Sequence, residues 1–309
     1  MCYNKEKWKF VGNGGADMSV DRLQERIRKL KSPIVIDFAV SKNHIPPHIM
    51  KEEGNFLAAY RRFCLELLEA LSQQAAAVRF SFSAFAVWGG DGLALLSVLA
   101  DRAARLGFYV VLDAPQALSA LQAQENAAAF CKKDALWKAD GLVVCSYIGT
   151  DGLKPYEACI KDTKQSIFAV LRTANKSAAE LQDLLSGTRL AHMAQADIVN
   201  RIAQPLLGRS GYCNFGAVAA ASAADSLRNL RSKYKYLFLL VDGYDYPNAN
   251  AKNCALAFDR LGHGAAVCAG TSVTAAWQQE ETDGSDYVDC ALRACERMKK
   301  NLARYITVL

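Results

Sequence analysis

The segment GLVVCSYIGTDGLKPYEACIKDTKQSIFAVLRT, residues 141–173, determines the fold we expect for this chain. It begins and ends with short runs of apolar and β-branched residues, which favour buried strands. Between these runs, Gly152–Asp162 carries apolar residues at helical spacing. Two buried strands joined by a helix are the repeating unit of a parallel sheet.

The same alternation of strand and helix extends over the whole chain. Strand candidates begin at Ile34, Ala77, Phe108, Gly141, Ser166, Phe215, Tyr236 and Gly264. Helical spacing is found at 20–30, 55–72, 91–106, 118–137, 152–162, 177–185, 192–203, 223–231, 249–261 and 288–305.

Eight parallel strands can close into a barrel, which leaves no exposed sheet edge. We therefore expect an α/β fold, a single-domain (β/α)8 TIM barrel over residues 32–309, preceded by an N-terminal extension with a short helix over residues 1–31. An open doubly wound sheet is the alternative, but no glycine-rich nucleotide loop follows the first strand.

Composition and charge argue against several classes of protein. The chain is 51% hydrophobic and 22% charged, as globular proteins are, and its net charge of +6 is scattered over helix-like faces. This pattern predicts no nucleic-acid binding. No apolar run has the length of a membrane span or a signal peptide, so we expect a cytoplasmic protein with no membrane contact. Ten cysteines fit a reducing compartment. The spacing of Cys290 and Cys295, with no His nearby, does not fit a metal site, and we predict no metal.

Several longer motifs resemble the orotidine 5'-phosphate decarboxylase family in its longer bacterial branch. They occur in the family's order along nearly the whole chain. They are SPIVIDFAVSKNHIPPHI from Ser32, AFAVWGGDGL from Ala84, SYIGTDGLKPYE from Ser146, VLRTANKSAAELQDL from Val170, FGAVAAAS from Phe215, LVDGY from Leu240 and GHGAAVCAG from Gly262. The resemblance implies a homodimeric barrel of pyrimidine biosynthesis. It also implies conversion of orotidine monophosphate to uridine monophosphate without metal or cofactor, through a Lys and Asp network at the dimer interface.

Most of the catalytic positions that the resemblance implies carry other residues here. The family's first-strand Asp falls on Ala39, and its second-strand Lys falls on Arg79. The Asp, Lys and Asp that follow the third strand fall on Asp113, Pro115 and Leu118, so only Asp113 is unchanged. Loss of CO2 leaves a carbanion, which needs an ammonium to stabilise and protonate it. Proline has no ionisable group, and a guanidinium is a poor acid at neutral pH.

The implied ligand positions are also altered. The substrate-binding positions carried over are Asn175, Gly243, Gly270 and Thr271. Of these, Thr271 replaces the family's phosphate-binding Arg, while Asn175 is kept. Ala174 replaces a pyrimidine-contacting Ser, and Pro247 replaces a Gln of the seventh-strand loop. Asp242 and Asp245 add negative charge at the same end of the barrel, so a dianionic ligand should bind weakly.

The residues present in place of the Lys and Asp network suggest a different charged cluster. Side chains alternate along a strand, so Asp37 should face into the barrel, and strands one to three are neighbours. Asp37, Arg79 and Asp113 are therefore expected to meet. Such a cluster is either a structural pairing, because a buried Arg needs carboxylate partners, or part of a new pocket for another small molecule.

The leading hypothesis is a catalytically degenerate member of the family, a homodimer that serves in ligand sensing or in binding a partner. Its ligand would be a pyrimidine nucleotide or another small molecule. One alternative is an active orotidine 5'-phosphate decarboxylase with a rearranged site. The other is a barrel repurposed for a different metabolite, either phosphorylated or neutral.

Overall fold

The computed structural model describes residues 18–38 and 41–307, so Ala39 and residues 1–17 lie outside the described part. The expected barrel is confirmed. The strands are β1 (Ile34–Asp37), β2 (Ala77–Ser81), β3 (Tyr109–Asp113), β4 (Gly141–Cys145), β5 (Ser166–Arg172), β6 (Leu185–Ser186), β7 (Arg189–Leu190), β8 (Cys213–Ala220), β9 (Leu237–Asp242) and β10 (Ala265–Ala269). All but β6 and β7 form one closed parallel barrel in the order β1-β10-β9-β8-β5-β4-β3-β2. Each predicted strand corresponds to one strand of this barrel.

The helices mostly follow the strands, as a β/α barrel requires. They are α1 (Ser19–Leu30), α2 (Pro47–Glu53), α3 (Phe56–Leu71), α4 (Phe82–Ala86), α5 (Gly89–Arg105), α6 (Ala120–Phe130), α7 (Thr150–Thr163), α8 (Ala191–Ala203), α9 (Ala224–Lys233), α10 (Ala251–Ala255), α11 (Thr271–Thr274), α12 (Ala276–Gln279) and α13 (Tyr287–Ala303). Short 3-10 helices are Lys42–His44, Lys176–Glu180 and Gln204–Leu206. Within the two described ranges, no helix combines the length and the apolar character that crossing a bilayer would require.

The helix predicted at 177–185 is wrong. The chain there forms the 3-10 helix Lys176–Glu180 and then enters the antiparallel hairpin of β6 and β7. Gln182 and Asp183 are hydrogen-bonded back to Thr173 and Arg172 at the end of β5. These tertiary contacts outweigh local helical spacing, because a short isolated helix is only marginally stable. Helices α6 and α10 are likewise shorter than their sequence patterns indicate.

Helix α1 covers one end of the barrel. Its apolar face, Val20, Leu23 and Ile27, is fully buried in the same cluster as the inward-facing strand residues. The Val20 amide donates to Asn214 Oδ1 at 3.0 Å, and Ser19 Oγ donates to the Asp140 carbonyl at 2.7 Å. Asn214 lies near the start of β8, and Asp140 immediately precedes β4, so the helix packs over the N-terminal ends of the strands. The C-terminal ends, where barrels carry their working residues, stay open as a mouth.

Candidate functional site

Charged side chains from four strands meet at the barrel mouth. Asp37 ends β1, Arg79 lies in β2 and Asp113 ends β3, while Asp242 ends β9. Asp37 and Arg79 are register partners in the parallel pair of β1 and β2, and Asp113 is paired with Ser81, two residues beyond Arg79. The strand geometry therefore places three carboxylates around one guanidinium.

Arg79 is the centre of this cluster. Its Nε and Nη2 donate to the two carboxylate oxygens of Asp113 at 2.7 and 2.8 Å, a planar bidentate pair. Its Nη1 lies 3.2 Å from Asp242 Oδ1 and 3.9 Å from Asp37 Oδ2. Arg79 is only 7% exposed. A buried guanidinium with bidentate geometry is held firmly and cannot easily serve other partners.

Burial and the excess of carboxylates set the charges of the cluster. Burial, aided by the neighbouring carboxylates and opposed by Arg79, raises the pKa of Asp37 to about 7. Burial also raises the pKa of Asp113, while Arg79 opposes the shift. For Arg79, burial would lower the pKa, but the surrounding carboxylates outweigh it and keep the pKa well above its ordinary value. The guanidinium is thus a permanent cation and does not release a proton at neutral pH.

The expected cluster of Asp37, Arg79 and Asp113 is present, and it has a further member that the sequence pattern did not assign to it. Asp242 comes from β9 and reaches Arg79 from across the barrel. Nothing in the spacing of the chain signals this contact, because it depends on barrel closure. Among the described residues, no group of three or more His, Cys, Asp or Glu side chains has the arrangement of a metal site.

Pro115 and Leu118, which we expected to replace the family's third-strand motif, do not line the site. Pro115 is half-buried, and its carbonyl accepts a hydrogen bond from Asn126 Nδ2 at 2.7 Å. Leu118 is 80% exposed on the rim. Asp113 alone of this motif points into the mouth, where it binds Arg79.

The carried-over ligand positions lie in the loops that follow β5, β9 and β10, and Gly270 and Gly243 adjoin Asp37 and Asp242 of the cluster. The Gly270 amide donates to Asp245 Oδ2 at 2.8 Å, and Thr271 Oγ1 lies 3.4 Å from the same oxygen. Gly243 has φ +75°, and a Cβ placed on it would come within 2.4 Å of the Ala174 Cβ. Asn175 is exposed, and its Oδ1 accepts a hydrogen bond from Thr173 Oγ1.

A cavity of about 280 Å³ opens beside the cluster. Its polar lining includes Arg79, Asp113, Gln116, Thr173, Gln182 and Asp242, and its apolar lining includes Val143, Val144, Val170 and Val218. Pro115, Asn175, Gly243, Gly270 and Thr271 are not part of this lining. Gln116 and Gln182 were not anticipated: Gln116 lies outside the quoted motifs, and Gln182 lies within the motif from Val170 but had been given no role there.

The loop after β5 is held down over this cavity. Arg172 Nε and Nη2 donate to the carboxylate of Asp183, both at 2.9 Å, and His192 Nδ1 lies 3.2 Å from Asp183 Oδ1. The Thr173 amide donates to Gln182 Oε1 at 2.8 Å. These contacts fix Thr173 and Gln182, the two loop residues that line the cavity.

Comparison with known proteins finds relatives that share one name. No protein-family model matches the chain. The orotidine 5'-phosphate decarboxylase of Clostridium botulinum (strain Loch Maree) is 23% identical over 286 residues, 92% of this chain and 99% of that protein. The Rhodopirellula baltica protein of the same name is 27% identical over 260 residues, 82% of this chain and 86% of that one.

Solved structures agree on the fold. Leishmania donovani OMP decarboxylase has a TM-score of 0.69 and 22% identity, covering 93% of this chain and 99% of its own. Leishmania donovani UMP synthase has a TM-score of 0.73 and 23% identity over 93% of this chain, which spans only 57% of that longer protein. A Methanocaldococcus jannaschii orotidine 5'-monophosphate decarboxylase, solved with the inhibitor BMP, has a TM-score of 0.57 at 13% identity.

Proposed function

We propose that this chain is a member of the orotidine 5'-phosphate decarboxylase family that kept the barrel and lost the decarboxylase chemistry. The observation that carries the proposal is the composition of the mouth. The cation in the cavity lining is Arg79, bound bidentately to Asp113, and no lysine is found among the lining residues.

The chemistry of decarboxylation explains why this matters. The ring carbanion left by CO2 has to be stabilised by a nearby positive charge and then protonated. Arg79 supplies charge, but its proton is held too tightly to be donated at neutral pH. Its charge is also already outnumbered by the carboxylates of Asp37, Asp113 and Asp242. A developing carbanion would therefore gain little from this site.

The retained cavity favours a ligand-sensing role over a purely structural one. Thr173 and Gln182 are fixed by the loop contacts, and the guanidinium is fixed by Asp113. A preformed pocket with a few fixed polar groups is typical of a binding site. We propose that binding of a pyrimidine-like or other small molecule, without turnover, is the residual activity.

The direct test is incubation of the purified protein with orotidine 5'-monophosphate, followed by ultraviolet absorbance. The Clostridium botulinum relative serves as the positive control. We expect no conversion above the buffer rate over hours. Conversion at a rate typical of enzymes would contradict the proposal and would favour the alternative of an active decarboxylase with a rearranged site.

We also propose a homodimer formed through the rim of β2 and β3. The segments that follow these two strands expose Val87, Trp88, Leu118 and Leu121, with exposed fractions of 77, 43, 80 and 64%. Exposed apolar groups of this kind favour a protein interface. Light scattering should give the mass of a dimer, and Leu118→Lys with Leu121→Lys should give a monomer. A monomeric wild-type protein would refute this part.

A further inference from the structure

Two cysteines on neighbouring helices lie side by side. Cys131 caps the C-terminal end of α6, and Cys159 lies in α7, so the two are 28 positions apart (159 − 131). The Ala127 carbonyl accepts a hydrogen bond from the Cys131 amide at 2.9 Å, and Cys159 Sγ lies 4.0 Å from the same oxygen. The two thiols interact directly with each other. The packing of the helices therefore brings together two sulfur atoms that are distant in the sequence.

Small molecules can reach both of these cysteines. Cys131 is 8% exposed and Cys159 is 7% exposed, whereas Cys64 and Cys254 have no exposed surface. Residues 132–140, which follow Cys131, form turns and bends. Such segments adjust more readily than the interior of a helix. The site is thus open to an oxidant of about the size of water and has one side that can move toward the other.

The contact between the thiols makes one of them the better nucleophile. A hydrogen bond with Cys131 lowers the pKa of Cys159, whereas the same contact, together with burial, raises the pKa of Cys131. The thiolate is the reactive form of cysteine, and a lower pKa increases its population at neutral pH. Cys159 is therefore the sulfur that reacts first, and Cys131 is placed to react with the product.

We propose that Cys131 and Cys159 are a redox modification site, at which hydrogen peroxide produces a reversible disulfide. The Cys159 thiolate attacks one peroxide oxygen and becomes a sulfenic acid, and the O–O bond breaks. The second oxygen leaves as hydroxide, which takes the proton released by the Cys159 thiol and becomes water. The Cys131 sulfur then attacks the Cys159 sulfur, forms the S–S bond and releases the hydroxyl group with its own proton as a second water. The two cysteines lose two electrons in total, and the peroxide takes up both.

The bond would join α6 to α7 and close a loop of 29 residues (159 − 131 + 1). A cross-link over a loop of this length restricts the unfolded chain and should raise Tm by about 5 °C in a protein of this size. A thiol such as glutathione reverses the bond by exchange, which fits a transient disulfide in a reducing compartment. Neither cysteine lines the cavity at the barrel mouth, so this inference does not rest on the proposed function.

The test is treatment of the purified protein with hydrogen peroxide, followed by peptide mapping by mass spectrometry without reduction. We expect a peptide pair joined through Cys131 and Cys159, and a rise in Tm of about 5 °C that dithiothreitol reverses. Cys131→Ser should leave a sulfenic acid on Cys159 that dimedone traps, and Cys159→Ser should give neither product. Cys145→Ser is the matched control, since it removes a more exposed thiol at the end of β4 and should still form the bond.

Two outcomes would overturn the inference. One is a peroxide-treated wild type in which Cys131 and Cys159 stay reduced, or are each oxidised to sulfinic acid without a bond between them. The other is a disulfide that joins either of them to a different cysteine, such as Cys145. Both results are read from the wild-type protein, so they decide the matter even if a serine variant does not fold.

Discussion

Substitution of Arg79 by Met tests whether the buried carboxylates depend on the guanidinium. Methionine keeps much of the side-chain volume, so the main change is the loss of charge and of three close carboxylate contacts. Removing one partner of a buried ion pair costs about 3–5 kcal/mol. For a chain of 309 residues, the entropy of unfolding is about 0.6 kcal/mol/K, so a loss of about 4 kcal/mol lowers Tm by about 6 °C.

The loss should also depend on pH. In the wild type, the charge of Arg79 lowers the pKa of both Asp37 and Asp113. Without Arg79, these pKa values rise further above the unfolded values, and a group with a raised pKa in the folded state destabilises that state as pH rises through it. We therefore expect a larger deficit at pH 8 than at pH 5.

The assay is thermal and urea unfolding, followed by circular dichroism, of the wild type, Arg79→Met and Arg62→Met. Arg62 is the matched control, since it also contacts three carboxylates, those of Glu52, Glu53 and Glu66, but its side chain is 35% exposed. An exposed network of this kind contributes below about 1 kcal/mol. If Arg79→Met were as stable as the wild type, or lost no more than Arg62→Met, the reasoning about buried charge would be wrong.

Two further substitutions probe the same end of the barrel. Asp37 has a pKa of about 7 against an ordinary 3.8, so wild-type stability should fall as pH rises between these values, by up to about 4 kcal/mol. Because 23% of its side chain is exposed, we expect about half of this free-energy change. In urea unfolding, Asp37→Asn should be as stable as the wild type near pH 4 and more stable at pH 8. An equal difference in stability between the two proteins at both pH values would refute the assignment. Gly243→Ala should lower stability by about 2 kcal/mol, because the new Cβ meets the Ala174 Cβ at 2.4 Å. Gly187→Ala is its control, with φ +66° but open space around it, and an equal loss in both variants would show that backbone strain, not the contact, is responsible.

Much of the site could be predicted from strand periodicity. Asp37 and Arg79 are register partners on neighbouring strands, and Asp113 lies on the next strand, so alternation along each strand places all three side chains on the inner face. The loop after β5 could not be predicted in this way. There, hydrogen bonds between Gln182, Asp183 and the end of β5 outweigh the helical spacing at 177–185. Such tertiary hydrogen bonds produce no periodic pattern in the sequence.

The amino-acid sequence by itself determined the barrel, because eight repeats of strand and helix have few other ways to bury their apolar faces. It also determined that position 115 offers no ionisable group, since a proline cannot be ionised in any fold. Only the tertiary structure decided that Asp242 reaches Arg79 and that the Asp245 carboxylate accepts a hydrogen bond from the Gly270 amide. The partners in these contacts are 163 and 25 residues apart (242 − 79 and 270 − 245). The closure of the sheet, and not any local pattern, sets the distances between them.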